Sequence, residues 1–231
     1  MRRRFTLSGL ALLAIAWVAV AADSSRTPPG AEVEGDFPFA EVIQRTTGHE
    51  IVTFDGTNAG HAALLEKLKA AAVAAARSAS SAKIESARAN DVGNAMEAHV
   101  LKALNDGGLK AHRPRTAAGR AQAAGYPDVE LESDPPCYLE LKTYNARTAD
   151  STQRTFYYSP AEETKVTRPA LHLLLAFEME QQKAGDRTIW VPVRFKLISL
   201  HDLVVRLKVE YNQSNRGLYP PQKLLADEEL K

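Results

Sequence analysis

Residues 127–142 read Pro-Asp-Val-Glu-Leu-Glu-Ser-Asp-Pro-Pro-Cys-Tyr-Leu-Glu-Leu-Lys and contain two strand patterns with a turn between them. Apolar and polar side chains alternate in both halves, as expected of strands with one buried face. The Asp-Pro-Pro turn at 134–136 predicts that the strands pair as a hairpin. Since side chains alternate between faces, Glu140 and Lys142 share one face of the second strand. Pairing would bring Asp128 into the same cleft.

The residues upstream predict a helix that carries a further acid. Asn90 or Asp91 can cap its start, and Gly107-Gly108 can end it. Apolar residues recur between these ends at helical spacing, namely Val92, Met96, Val100 and Ala103. Glu97 lies at the edge of this apolar stripe, where an acid is unusual unless it has a partner. On the helix alone, a solvated edge position explains Glu97 more simply.

The remaining patterns predict one α/β domain, with a mixed central β-sheet and helices on both faces. Residues 61–89 are rich in Ala, Leu, Lys and Glu and predict a helix that the serines of 78–81 would break. Residues 41–54 favour a strand or a turn without deciding between them. Further predictions are a loop at 145–154, a short helix starting at Ser159-Pro160, strands at 171–179 and 188–198, and a helix from Ser199 to about Tyr211.

The composition excludes several classes of protein. Of the 231 residues, 45% are hydrophobic and 25% are charged, which is ordinary for a globular domain and not for a disordered or collagen-like chain. The single cysteine, Cys137, permits neither an intramolecular disulfide nor a cysteine-based metal cluster. The six histidines show no shared metal spacing. A formal net charge of +1 argues against a uniformly basic protein that coats nucleic acid.

The N-terminus predicts export. Three arginines at 2–4 precede an apolar run that ends in the small residues Ala19-Val20-Ala21. We expect residues 1–22 to be a cleaved signal peptide and the mature protein to be periplasmic or secreted. The alternative is a membrane anchor formed by residues 5–22. Removing 1–22 leaves 26 basic against 28 acidic residues, a net charge of −2. We assign 23–36 to a linker and 37–231 to the folded domain, with its core at about 90–197.

Any contact with a polyanion must therefore come from a local patch. The segment Lys110–Arg120 holds Lys110, Arg113, Arg115 and Arg120 together with His112, and it contains no acid. A run of charge is commonly a solvated loop. This segment indicates a phosphate-binding surface only if an acidic, metal-binding site lies beside it, because phosphates require both the basic side chains and the metal site.

The cleft residues are suited to hydrolysis of a phosphodiester. That reaction needs a divalent cation, a water nucleophile and relief of charge on the leaving oxygen. Carboxylates such as those of Asp128 and Glu140 are the ligands that Mg²⁺ prefers. The ammonium group of Lys142 can orient or deprotonate the water and neutralise phosphate charge.

Pro127-Asp128 followed by Glu140-Leu141-Lys142 resembles the PD-(D/E)-x-K nuclease superfamily, over about residues 90–197. The resemblance implies a restriction-endonuclease-like core and a DNA endonuclease that uses Mg²⁺, or Mn²⁺ in its place, and no small-molecule cofactor. It implies that Asp128 and Glu140 are metal ligands and that Lys142 is the catalytic lysine. Glu97 would orient the metal water or bind a second ion.

Residues 142–145, 152–160 and 172–178 are similar to type II restriction endonucleases, and within them to the group that cuts GGNNCC. This similarity implies double-stranded DNA as the partner and a symmetric homodimer, because the target is palindromic. Basic and amide side chains are the usual contacts to phosphates and base edges. The candidates for DNA contact are Arg113, Arg115, Gln153, Arg154, Lys165 and Arg168.

The predicted signal departs from the resemblance, because a restriction enzyme works in the cytoplasm beside a protecting methyltransferase. Two alternatives therefore stay open. One is an exported DNase without site specificity. The other is a catalytically silent nuclease fold that serves as a DNA-binding module. The complete set of Asp128, Glu140 and Lys142 argues against the silent module.

Overall fold

The computed structural model describes residues 35–86, 89–122, 125–148, 156–161, 163–206 and 214–229. Its strands are β1 (Asp36–Pro38), β2 (Ile51–Val52), β3 (Ile84–Glu85), β4 (Ala111–His112), β5 (Val129–Leu131), β6 (Cys137–Asn145), β7 (Ala170–Ala184), β8 (Arg187–Ser199) and β9 (Val204–Arg206). Its α-helices are α1 (Phe39–Thr47), α2 (Ala59–Ala82), α3 (Ala89–Asp106) and α4 (Asn215–Leu218). Single 3₁₀ turns occur at Ala146–Thr148 and Pro221–Lys223.

A mixed sheet forms the centre of the domain, with the strand order β3-β8-β7-β6-β5-β4. Strands β5 and β6 are an antiparallel hairpin, β6 and β7 run parallel, and β7 and β8 are antiparallel. The short strand β2 also pairs with β7, in parallel. Strands β1 and β9 form a separate two-stranded ladder. This architecture confirms the predicted single α/β domain with a mixed central sheet.

Helices α2 and α3 cover one face of the sheet. The inward residues of β6, among them Cys137 and Leu139, are fully buried against these helices. Burying one such leucine side chain contributes roughly 1.5–3 kcal/mol. Helix α2 presents small residues at its contacts, namely Ala71, Ala72, Ala75 and Ala79. Small side chains allow α3 to approach closely, which fixes α3 and its Glu97 against the sheet.

An aromatic cluster covers the opposite face. Phe39 of α1 packs edge-on against Tyr126, with ring centroids 5.5 Å apart. Tyr126 stacks on His172, and its hydroxyl lies 2.6 Å from Nδ1 of that ring. Tyr138, on the outward face of β6, is buried in the same cluster. The backbone that enters β5 is therefore anchored by Tyr126 immediately before Pro127 and Asp128.

Most of the predicted elements are confirmed. The helix expected from Asn90 to Gly107 is α3, the two halves of 127–142 form the hairpin β5–β6, and the strands at 171–179 and 188–198 lie within β7 and β8. Cys137 and Trp190 are buried. Residues 41–54, which no pattern decided, contribute most of α1 and all of β2.

Three predictions about helices were wrong. Helix α2 runs through 78–81 without the expected break, where Ala79 packs into the core, and it ends at Ala82 instead of Ala89, because residues 84–85 form β3. Residues 156–161 and 163–169 form no helix. The helix expected from Ser199 does not begin there either: a turn at 200–203 leads into β9, which pairs with β1, and the rest of the predicted helix lies outside the described residues. The polar groups read as a helix cap are used in the turn, where the His201 amide donates to the Ser199 hydroxyl.

The predicted signal, 1–22, and nearly all of the predicted linker lie outside the described residues, so cleavage and export stay predictions. No helix within the described ranges is long and apolar enough to cross a bilayer.

Candidate active site

The hairpin places Asp128 against the strand that carries Glu140 and Lys142. Val129 is opposite Leu139 in the ladder, so Asp128 enters β5 beside Glu140. The Leu141 amide donates a hydrogen bond of 2.8 Å to Asp128 Oδ2. The structure therefore brings Asp128, Glu140 and Lys142 together, as the alternating pattern predicted.

Glu140 is a buried carboxylate, and one of its two oxygens accepts a hydrogen bond. Its side chain is 5% exposed, and Lys142 Nζ donates to Oε1. Oε2 is fully buried and has no hydrogen-bond partner among the described residues. Burial, together with the nearby charge of Asp128, raises the pKa of Glu140 to about 7, against the opposing effect of Lys142. A buried carboxylate with a free oxygen and a raised pKa is short of positive charge.

The carboxylate of Asp128 is likewise short of nearby positive charge. Burial raises its pKa, and the charge of Glu97 adds to that rise. The Leu141 amide and the Lys142 ammonium group act in the opposite direction. Because the Leu141 amide and the charges of Lys142 and Lys165 do not cancel the cost of burial, a further cation at this point would be stabilised by both carboxylates.

Glu97 of α3 raises the pKa of Asp128 through its charge, and it has a partner of its own. Arg113 Nε donates to Glu97 Oε1 at 2.6 Å, and the Glu97 side chain is 19% exposed. The ion pair explains how an acid is accommodated at the edge of the apolar stripe, which the helix alone did not reveal. No three His, Cys, Asp or Glu side chains in the described ranges form a preassembled metal site. Glu97 therefore interacts electrostatically with Asp128 but does not complete a ligand set with Asp128 and Glu140 among the described residues.

Lys165 lies in the same site, which the sequence did not indicate. It is 4% exposed, and its Nζ donates to the Pro127 carbonyl at 2.8 Å. Burial lowers its pKa, whereas the charges of Asp128, Glu140 and Glu97 raise it. We had predicted Lys165 as a contact to DNA. Its position is internal, beside the carboxylates, with its ammonium group on the Pro127 carbonyl.

The other predicted DNA contacts are dispersed. Arg113 is paired with Glu97, and Arg168 is paired with Glu130 of β5. Arg115 donates to the Gly119 carbonyl at 3.0 Å and is otherwise exposed. Gln153 and Arg154 lie outside the described residues. The structure thus ties Arg113 and Arg168 to acids of the domain itself.

The basic segment Lys110–Arg120 is also largely neutralised. Arg120 forms an ion pair with Glu163, while Lys110 and His112 lie 3.9 and 3.3 Å from Glu132. The patch is therefore an alternation of charges at the edge of the sheet, and Arg113 is the member that reaches the site.

The donor set fits a divalent cation. The observation that carries this fit is Glu140 Oε2, a buried oxygen without a partner next to the Asp128 carboxylate. Oxygen ligands of this kind suit Mg²⁺ or Mn²⁺, which are usually held by one or two carboxylates with water and phosphate completing the shell. Asp128 and Glu140 would hold the ion.

Comparison with known proteins identifies the family. A family model described as Type II restriction enzyme MjaV family matches residues 33–222, which include every described residue of the site. The chain is 37% identical over 154 residues to the type II restriction enzyme MjaV of Methanocaldococcus jannaschii, and the match covers 62% of this chain and 65% of that protein. No solved structure matches the chain. The family model spans well over half of the sequence, and the chain belongs to the Type II restriction enzyme MjaV family.

Proposed function

We propose that this protein is a metal-dependent DNA endonuclease of the PD-(D/E)-x-K type that hydrolyses phosphodiester bonds. The observation that carries the proposal is the convergence of Asp128, Glu140 and Lys142 around one buried, unpartnered carboxylate oxygen. The printed name of the 37% identical relative supports the same activity. The family assignment also supports DNA as the partner.

Each residue of the site has a distinct role in this proposal. Asp128 and Glu140 would hold a Mg²⁺ ion, which would neutralise phosphate charge and lower the pKa of water when bound. Lys142 places an ammonium group beside the phosphate and orients the attacking water. Glu97 accepts a hydrogen bond from water at the outer side of the site, and Arg113 fixes its orientation.

Lys165 is a positioning residue. Its hydrogen bond to the Pro127 carbonyl holds the backbone immediately before Asp128. Its buried charge also offsets the repulsion among the three carboxylates, which helps the apo site to fold.

Cleavage is proposed to be site-specific, as in a type II restriction enzyme, and carried out by a symmetric homodimer. The GGNNCC specificity is a prediction from the motif resemblance, and the name of the matched family does not include it. A digest of plasmids of known sequence, followed by mapping of the ends, tests it directly.

The experiment is incubation of the mature protein, residues 23–231, with supercoiled plasmid and Mg²⁺, with parallel reactions in excess chelator and with Asp128→Asn. Discrete fragments that require Mg²⁺ and Asp128 support the proposal. A smear with the same requirements favours the exported, non-specific DNase. Binding without cleavage by the wild-type protein favours the silent module, and full cleavage in chelator excludes the metal site.

A further inference from the structure

The sheet face that carries the site continues beyond it as a basic surface. Along β6, Lys142 and Tyr144 follow Glu140 on the same face. The ladders place Ala176 of β7 beside Lys142, and Lys196 of β8 beside Ala176. In the next row of the same face, Glu178 lies beside Tyr144, and Arg194 lies beside Glu178.

These two rows face away from α2 and α3, on the face that also carries α1 and the aromatic cluster. The neighbouring residues on β7 and β8, Phe177 and Phe195, point to the opposite face, where their rings lie 6.5 Å apart in the core with α2 and α3. Lys196 and Arg194 therefore cannot belong to that core. Both are exposed, and the Arg194 side chain retains 68% of its accessible surface.

The charges of this surface are incompletely paired. Lys196 has no ion pair with any described acid, and its Nζ lies 5.2 Å from the centroid of the Tyr144 ring. The Tyr144 hydroxyl donates to Glu178 at 2.9 Å, which holds the ring in place under the lysine. Arg194 approaches Glu178 only to 3.7 Å, a loose contact for an exposed pair. The surface thus presents excess positive charge beside the catalytic lysine.

The spacing suits a nucleic-acid backbone. Neighbouring strands lie about 4.8 Å apart, so Lys142 and Lys196, two strands apart, are separated by about 10 Å at the backbone. Long side chains close part of that distance. Cations at such a spacing can bind different phosphates of one DNA strand whose scissile bond lies at Lys142, and they add affinity without reading sequence.

We infer that Lys196 and Arg194, supported by the fixed ring of Tyr144, form a phosphate-binding track that holds double-stranded DNA beside the active site. The inference rests on the proposed function and extends it, because it assigns the backbone contacts to β8. Arg113 and Arg168, predicted as DNA contacts from the sequence, are paired with acids of the domain instead.

The test is binding of a short fluorescent duplex to the mature protein in chelator, measured over a series of salt concentrations. The variants are Lys196→Gln, Arg194→Gln and the double substitution. The controls are Lys183→Gln and Arg187→Gln at the far end of the same two strands, where Arg187 is also 68% exposed and paired with a glutamate. Circular dichroism checks that each variant is folded, and Lys196→Arg tests rescue by charge.

Each track substitution is expected to reduce the slope of log affinity against log salt by about one, since each phosphate contact contributes about 0.9. The double variant should lose about two, the controls should match the wild type, and Lys196→Arg should restore the slope. A folded double variant with the wild-type slope overturns the track, even if the enzyme cleaves DNA. If the wild type binds DNA without cleaving it, the proposed function fails, but the phosphate-binding track can still be tested. If the wild type does not bind DNA, both proposals fail.

Discussion

The Asp128 carboxylate accepts a hydrogen bond from the Leu141 amide at 2.8 Å, across the hairpin and between Glu140 and Lys142. Because Leu141 lies between these two residues in β6, the bond fixes Asp128 relative to both of them. The amide is part of the sheet backbone and cannot rotate away. One oxygen of Asp128 is thus held by the fold, which positions the carboxylate before any ion or DNA is bound.

Asp128→Asn and Glu140→Gln should abolish cleavage while DNA binding without metal survives or tightens. Each substitution removes an anionic ligand, but it also removes negative charge that repels phosphate. Asparagine retains an oxygen that can accept the bond from Leu141, so the hairpin should stay folded. The measurements are single-turnover cleavage, duplex binding in chelator and circular dichroism. Cleavage by either folded variant at the wild-type rate would contradict the ligand assignment.

Lys142→Ala should also abolish cleavage, yet metal binding should largely remain, because an ammonium group is not a metal ligand. Glu97→Gln serves as the comparison and should weaken cleavage less, since Glu97 lies at the outer side of the site. Mn²⁺ titration followed by a cleavage time course separates the two effects. If folded Lys142→Ala cleaves like the wild type, then the Glu140-Leu141-Lys142 motif has no catalytic role.

The stability of the metal-free protein should depend on the titration of Glu140. Its folded-state pKa of about 7 is above the ordinary 4.5, so the folded state binds the proton more tightly than the unfolded state does. The resulting stabilisation is complete below about pH 4.5 and is lost as the pH rises through about 7. Denaturant unfolding should show the wild type losing stability relative to Glu140→Gln over this range, by the order of 1–3 kcal/mol.

Histidine 172 imposes the opposite dependence at lower pH, so the comparison with Glu140→Gln is needed to isolate the carboxylate. Burial lowers the pKa of His172 to about 3, so its contribution is lost as the pH falls from about 6.5 toward that value. Both proteins contain His172, and its effect cancels in the difference. A difference that does not change between pH 4.5 and 7 would contradict the raised pKa of Glu140.

Lys165→Met should destabilise the protein by about 1–3 kcal/mol at pH 8, because the Pro127 carbonyl loses its donor and the carboxylates lose a buried counter-charge. The loss should be smaller at pH 5, where Glu140 is protonated. Lys183→Met, an exposed substitution, is the control. In Lys165→Met the salt dependence of DNA binding should match that of the wild type. A slope reduced by about one would instead restore Lys165 as a phosphate contact.

We expect the mature protein to begin near Ala22 or Asp23, because the small residues Ala19-Val20-Ala21 form the predicted cleavage site. N-terminal sequencing of the protein from its native host, after fractionation, provides the measurement. A soluble cytoplasmic protein that begins at Met1 would overturn the prediction, whereas an intact chain in the membrane fraction would support the anchor.

The sequence was sufficient for the elements whose signals are local. Alternation within 127–142 and the Asp-Pro-Pro turn predicted the hairpin, because side chains two apart must share a face and proline cannot continue a central ladder. The same rule put Glu140 and Lys142 together. Local signals failed at Ser199–Asp202, where the polar groups suit a turn as well as a helix cap and the pairing of β9 with β1 decided the outcome.

Only the tertiary structure decided which partner each charged side chain of the site contacts. Arg113 and Glu97 are 16 residues apart, and Lys165 and Pro127 are 38 apart, so no spacing rule relates them. These contacts depend on how α3 and the chain before β7 are set against the hairpin. Exposed and buried lysines look alike in a sequence. Packing puts Lys165, predicted as a DNA contact, beneath Pro127, whereas the ladder of β7 and β8 puts Lys196, for which the sequence predicted no role, on the open face.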